Sequence, residues 1–183
     1  MEYKVLTLWQ PWASLLVHGI KKIETRPKPT RWTAEKGTYL INAASKWSKE
    51  QAKLCLMEPF FANLYDLTNE IGMSYHSKTG KTDFICNLPL GQIIGSIEVT
   101  ECHKIHNNNS LLRPLYFTSW NKKESMYNAE YIQSLEESFG DYSDGRYAWL
   151  TQNPRVLKTP ISYKGGQGYY QNFKGDINQL IFL

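Results

Sequence analysis

Lys21, Glu24 and Arg26, in the stretch Gly19-Ile20-Lys21-Lys22-Ile23-Glu24-Thr25-Arg26, are the residues of this chain best placed by type and spacing to do chemistry. They follow an apolar run, Ala13 to Val17, that reads as core. A carboxylate set between two cations has its charged form favoured. Arg26 would keep guanidinium donors for a planar acceptor such as a phosphate or a base edge. If the segment after Gly19 is extended, Glu24 and Arg26 share a face and Lys21 sits across a turn. A surface ion-pair node, worth about 0–1 kcal/mol a pair, has the same spacing. Spacing alone leaves both readings open.

Trp9, Trp12, Trp32, Tyr147 and Trp149 interleave with these charges. Rings beside Lys and Arg hold single-stranded nucleic acid or an isolated base, at ~1–3 kcal/mol per stacked base. Trp149, between Ala148 and Leu150, reads as core, whereas Trp9 and Trp12 suit either role. The net charge of +4 is segregated: residues 1–46 carry eight Lys/Arg against three acids, residues 146–183 five against one, and the middle eight against thirteen. Basic ends around an acidic middle predict that the ends meet as one positive surface, suited to a phosphate-bearing partner.

Other chemistries are poorly represented. Lys164-Gly165-Gly166-Gln167-Gly168 lacks the spacing and the Lys-Ser/Thr of a phosphate-binding loop. Cys102-His103 and His106 lack a fourth ligand at metal spacing, so no metal and no cofactor is expected. No Ser-His-Asp order or GxSxG elbow occurs, and His18 reads as a capping or packing residue. Cys55, Cys86 and Cys102 form no CxxC pair. There is no cationic leader with an apolar core, and no apolar run of the ~20 residues a membrane helix needs. The expected setting is cytoplasmic.

The elements that must position the motif follow from local signals. Val5 to Leu8 reads as a strand, stopped at Trp9-Gln10-Pro11-Trp12, where Pro11 suits a helix first turn. Leu15, Leu16 and Ile20 approximate helical spacing, and Gly19 suits the position past the helix end. Prolines 27 and 29 exclude a continuing helix. Thr38 to Ala43 reads as a buried strand ending in Ala44-Ser45-Lys46, a small-residue corner that a ligand could approach. Ser48 caps a helix over about 49–65 that Pro59 should kink or end. Residues 66–88 and 104–125 read as loop with short irregular pieces, and 125–139 as helical, with Tyr131, Leu135 and Phe139 at spacing four. Ile93 to Glu101 is the clearest strand, with Gly95 marking a bulge or close approach. Arg146 to Leu150 reads as a strand turned by Asn153-Pro154; Tyr169 to Phe173 and Leu180 to Phe182 read as closing strands. The sum is an α+β, mainly β chain: one domain over 1–183, a small, partly open β-barrel decorated by helices.

Leu8-Trp9-Gln10-Pro11-Trp12-Ala13-Ser14-Leu15-Leu16, followed by Gly19-x-Lys21-x-x-Glu24-x-Arg26, resembles the signature of the ASCH domain family. Asn42-Ala43-Ala44-Ser45-Lys46, Leu88-Pro89-Leu90-Gly91 with Ile94-Gly95, and Gly140-Asp141-Tyr142-Ser143 with Gly145-Arg146-Tyr147-Ala148-Trp149 are similar to its later segments. So are Asn153-Pro154-Arg155, Pro160-Ile161 and Lys164-Gly165, in the manner of its bacterial, phage and EOLA-like branches. Residues 47–87 and 103–139 look like insertions and coincide with the acidic middle, a candidate protein-partner surface. The resemblance implies a PUA-like barrel with a cleft beside the first helix that binds RNA or a nucleotide-like ligand. In that cleft Lys21, Arg26, Lys46, Arg155 and Lys164 would meet phosphate, Trp9, Trp12 or Tyr147 would stack, and Gln10 and Glu24 would supply polar recognition, beside the corner at Ser45. One branch of the family deacetylates N4-acetylcytidine, with the motif lysine as base and a threonine nucleophile at the position of Glu24. This chain departs there, and Thr25 is expected on the opposite face. A water activated by Glu24, with Lys21 stabilising the oxyanion, is the alternative chemistry for a nucleoside amidohydrolase or a ribonuclease.

Overall fold

The computed structural model describes residues 3–27, 36–68, 72–76, 81–85, 87–106, 116–118, 134–166, 171–173 and 180–183. Its elements run β1 (Lys4–Leu8), α1 (Trp12–Val17), β2 (Ile23–Arg26), β3 (Gly37–Ala43), α2 (Lys49–Cys55), α3 (Phe60–Thr68), β4 (Gly72–His76) and β5 (Lys81–Ile85). After these come β6 (Gln92–His106), β7 (Tyr116–Thr118), α4 (Ser134–Ser138), β8 (Tyr147–Ser162) and β9 (Gln171–Asn172). The main sheet has the order β2-β8-β6-β3-β1-β9, with β7 also on β6. β1 and β3 pair in parallel and the other pairs are antiparallel. The path ends at β2 and β9 without joining them, so the expected α+β, mainly β architecture is present as an open sheet.

Apolar spacing places the helices. α1 lays Ala13, Leu16 and Val17 on Leu6, Ile41, Ile97 and Trp149 of the sheet, all buried. That approach needs the glycine at 95, because a Cβ there would collide with the Arg155 carbonyl and stand 2.9 Å from Val17. Leu15 faces the other way, into a second cluster with Cys55, Phe60, Leu64 and Phe139. The opposite sheet face is closed by Val5, Leu40, Ile93 and Leu157, with Phe182 packed on them. Trp149 is core, as its neighbours imply. No helix among the described residues is long and apolar enough to cross a membrane.

Pro59 interrupts its helix as expected, and several other expectations change. Pro59 divides the helix expected over 49–65 into α2, which Ser48 caps through a reciprocal pair with Gln51, and α3. Residues 66–88 contain the hairpin β4–β5 rather than loop and short irregular pieces alone, and its two strands pair with each other off the main sheet. β6 runs on to His106 and β7 pairs with it, inside a stretch read as loop. Asn153-Pro154 does not turn its strand. Asn153 adopts φ 49°, and the register steps from Ser96↔Arg155 to Glu98↔Gln152, so β8 passes through as a bulge. Trp32, Cys86, Tyr131 and residues 167–170 lie outside the described residues.

Candidate functional site

The corner between β1 and α1 is braced from inside. Gln10 is fully buried; its Oε1 accepts from Ser14 N at 3.1 Å and its Nε2 donates to the Pro89 carbonyl at 2.9 Å. Gln51 Nε2 in turn donates to the Gln10 carbonyl at 2.9 Å. This fixes the flanking rings: Trp12 packs edge-on to Phe60, with centroids 6.2 Å apart, and Trp9 is left 45% exposed. At the far end of α1, Gly19 takes φ +73°, Ile20 N and Lys21 N both bond to the Leu15 carbonyl, and the chain turns into β2.

β2 is an edge strand, and charged side chains cover its outer backbone groups. Lys21 Nζ donates to the Ile23 carbonyl, Arg146 donates to the Thr25 carbonyl at 3.3 Å, and Glu136 accepts from Lys22 N at 2.8 Å and Ile23 N at 3.1 Å. A free edge would offer those groups to another chain. Glu136 also accepts from the Tyr142 hydroxyl at 3.1 Å and lies 3.7 Å from Lys21 Nζ. Lys21 is only 1% exposed. Burial pushes its ammonium below the ordinary lysine value, while Glu24 and Glu136 pull in the opposite direction. Burial, and then Glu136, hold the Tyr142 phenol above the ordinary tyrosine value.

A cavity of about 550 Å³ opens in front of this edge. One wall is aromatic, built from Trp9, Trp12, Phe60 and Phe139, with Phe60 and Phe139 edge to face at 5.1 Å. The other is charged. Glu24 Oε1 lies 3.0 Å from Arg26 Nε, Arg26 stands 5.9 Å over the Trp149 ring, and Arg146 pairs with Asp141 at 3.2 Å. Thr25 lines the same cavity as Glu24, where alternation placed it on the opposite face. Because β2 is an edge strand, residues of both its faces reach the opening. A Cβ at Gly140 would stand 3.3 Å from both Lys21 Nζ and Thr25 Oγ1, so both groups approach one spot.

Of the residues singled out in the sequence, Trp9, Trp12, Lys21, Glu24 and Arg26 meet at this cavity. Gln10 does not reach it, since both ends of its amide are bonded to backbone. Tyr147 pairs with Arg26 across the sheet and packs on the core under α1. Ser45, Lys46 and Lys164 are exposed and outside the lining. Arg155 lies at another cavity with Tyr3, stacked 4.5 Å from Phe182. Site residues with no role assigned from sequence are Arg146 and Asp141 on the rim, Glu136 and Tyr142 behind Lys21, and the wall residues Phe60 and Phe139. Their one signal was Gly140-Asp141-Tyr142 with Gly145-Arg146, read there as strand likeness alone. Among the described residues no cluster of His, Cys, Asp and Glu could hold a metal; His103 is engaged with Glu101 at 2.6 Å. The family model for the ASCH domain matches residues 6–142, a span that takes in the aromatic wall and Glu24, Arg26 and Asp141 of the charged one, while Arg146 lies beyond it.

Proposed function

The chain belongs to the ASCH domain family, and on that premise we propose that it binds RNA or a nucleotide in the cleft between α1 and β2. The ASCH domain is a PUA-like RNA-binding module, which supports a nucleic-acid-binding role. The observation that carries the reading to this cleft is that Trp9 and Trp12 line one cavity together with Arg26 and Arg146. Exposed rings stack on bases, and guanidinium groups recognise base edges and phosphates. Lys46 and Lys164 would extend the cleft toward the phosphates of a strand: β3 ends beside Leu8 of the lining, and the loop after β8 lies against Thr7 and reaches the cavity at Gly166. The test is titration of short single-stranded RNAs across a salt series. Affinity that falls with salt and drops on Arg26→Ala is expected. Affinity indifferent to Trp9→Ala and Arg26→Ala alike would overturn the reading.

One observation favours a hydrolytic reading of the same cleft: Lys21 Nζ and Thr25 Oγ1 converge on Gly140 beside Glu24. Lys21 and Glu24 are then the catalytic pair, acting on a modified nucleoside or on RNA. Glu24→Gln should abolish turnover and spare binding, and no turnover on acylated nucleosides and RNAs, with binding confirmed, would remove this reading.

A further inference from the structure

We infer that the cleft takes one uncharged nucleobase, held by its ring faces and its N–H edge, while the phosphates of the same nucleotide stay outside. The inference rests on the nucleic-acid reading above and says which part of the ligand enters.

Charge is the first argument. Each described cation at the cleft has its own acid: Arg26 with Glu24 at 3.0 Å, Arg146 with Asp141 at 3.2 Å, and Lys21 with Glu136 at 3.7 Å. Among the described residues the formal charge therefore cancels. A phosphate entering would have to break one of these pairs and would face the carboxylate it displaced. Lys21, the expected phosphate contact, is the least available, since its ammonium is buried on the Ile23 carbonyl.

Shape and hydrogen-bonding capacity give the second. The aromatic wall suits a flat ring, and the described charged residues offer an acceptor at Glu24 and donors at Arg26 and Arg146. Glu24 is about nine-tenths buried, and its Oε2 accepts no hydrogen bond among the described residues. An acceptor in that position calls for an N–H and repels a phosphate oxygen. Arg26 and Arg146, which both line the cavity, each have a buried Nε without a hydrogen-bond partner, and a guanidinium is the donor type that suits a ring nitrogen or carbonyl. An acceptor and a donor together match a base edge that presents an N–H beside a lone pair. In a duplex that edge is already paired, so the ligand is a free nucleoside or an unpaired base in a single strand. Phosphates of a strand would then run past the exposed Lys164 and Lys46.

The experiment is calorimetric titration of the full chain with adenosine, cytidine, guanosine and uridine, their monophosphates, inorganic phosphate, and a short single-stranded RNA. At least one nucleoside should bind within roughly threefold of its monophosphate. Its affinity should change by less than about twofold between about 50 and 200 mM salt, while the RNA weakens steeply. Trp9→Ala, at an exposed ring, should cost the nucleoside about tenfold without altering the fold. Glu24→Gln should weaken it too. A monophosphate binding more than about tenfold above its nucleoside, or displacement by inorganic phosphate, would overturn the inference and leave the nucleic-acid reading standing. So would RNA binding without nucleoside binding. Failure of RNA, nucleotide and nucleoside alike would overturn both.

Discussion

The Glu136 carboxylate, in a stretch that looked like an insertion, lies 3.7 Å from the Lys21 ammonium and accepts the backbone N–H of the next two residues, Lys22 and Ile23. The motif is therefore completed from the far end of the chain. Its lysine is spent on the backbone of its own strand, and what remains for a ligand is the arginine, the glutamate and the rings in front.

Removing the Glu136 carboxylate should be among the costlier single changes in this protein. Glu136→Ala strands a buried ammonium, two backbone N–H groups and the Tyr142 hydroxyl, and breaking a buried pair from one side costs about 3–5 kcal/mol. Chemical denaturation should show a loss of that order, and Lys21→Met in the same chain should recover part of it. A loss under about 1 kcal/mol would show that the pair is not holding β2.

Lys21 should also leave a mark on stability against pH. Its folded pKa lies below the ordinary 10.5, chiefly through desolvation, so between those values the unfolded chain binds the extra proton. Stability therefore rises with pH through that window, and the cost of the buried charge is fully present below the folded pKa. The Tyr142 phenol acts in the opposite sense only above its ordinary 10.0. Wild type compared with Lys21→Met by denaturation across the pH range below the ordinary tyrosine value of 10.0 isolates the lysine, and the difference should change in that direction.

What could be read in advance is what short-range backbone chemistry encodes. Gly19 past the helix, Pro11 at its start and the prolines after Arg26 constrain their own dihedrals, and they located α1, the turn and β2. The shared face of Glu24 and Arg26 followed from that and appears as a 3.0 Å ion pair. Relations between distant residues were not legible. Nothing around Glu136 signals that it would cap β2, because an acid on a short helix reads the same facing water. Gln10 looked like a recognition residue for the same reason: a polar side chain beside two Trp residues does not reveal that its partners are the Ser14 and Pro89 backbones. Asn153-Pro154 carries strong turn chemistry, yet pairing with β6 on both sides draws β8 through it as a bulge. Long-range pairing won over local preference.

Gly95 tests how tightly α1 must lie on the sheet. A Cβ there meets the Arg155 carbonyl, which belongs to the ladder and cannot yield cheaply, and Val17 at 2.9 Å. Gly95→Ala should cost about 1–3 kcal/mol by overpacking and lower the thermal midpoint. It should also weaken RNA binding, since α1 carries Trp12 into the cleft. A variant as stable as the parent would mean that helix and strand can separate without strain.

Trp9 and Trp149 are the same residue type in different surroundings, and the pair separates recognition from stability. Trp149 is 5% exposed beneath α1, whereas Trp9 is 45% exposed at the rim of the cavity. Trp149→Ala should cost about 3–5 kcal/mol of stability by opening a hole in the core. Trp9→Ala should stay within about 0.5 kcal/mol of the parent, as exposed substitutions do, while losing about 1–3 kcal/mol of RNA affinity if a base stacks there. Denaturation and RNA titration on both variants check the contrast. Equal stability losses would place Trp9 in the core, and an undiminished affinity in Trp9→Ala would move the stacking surface to another ring.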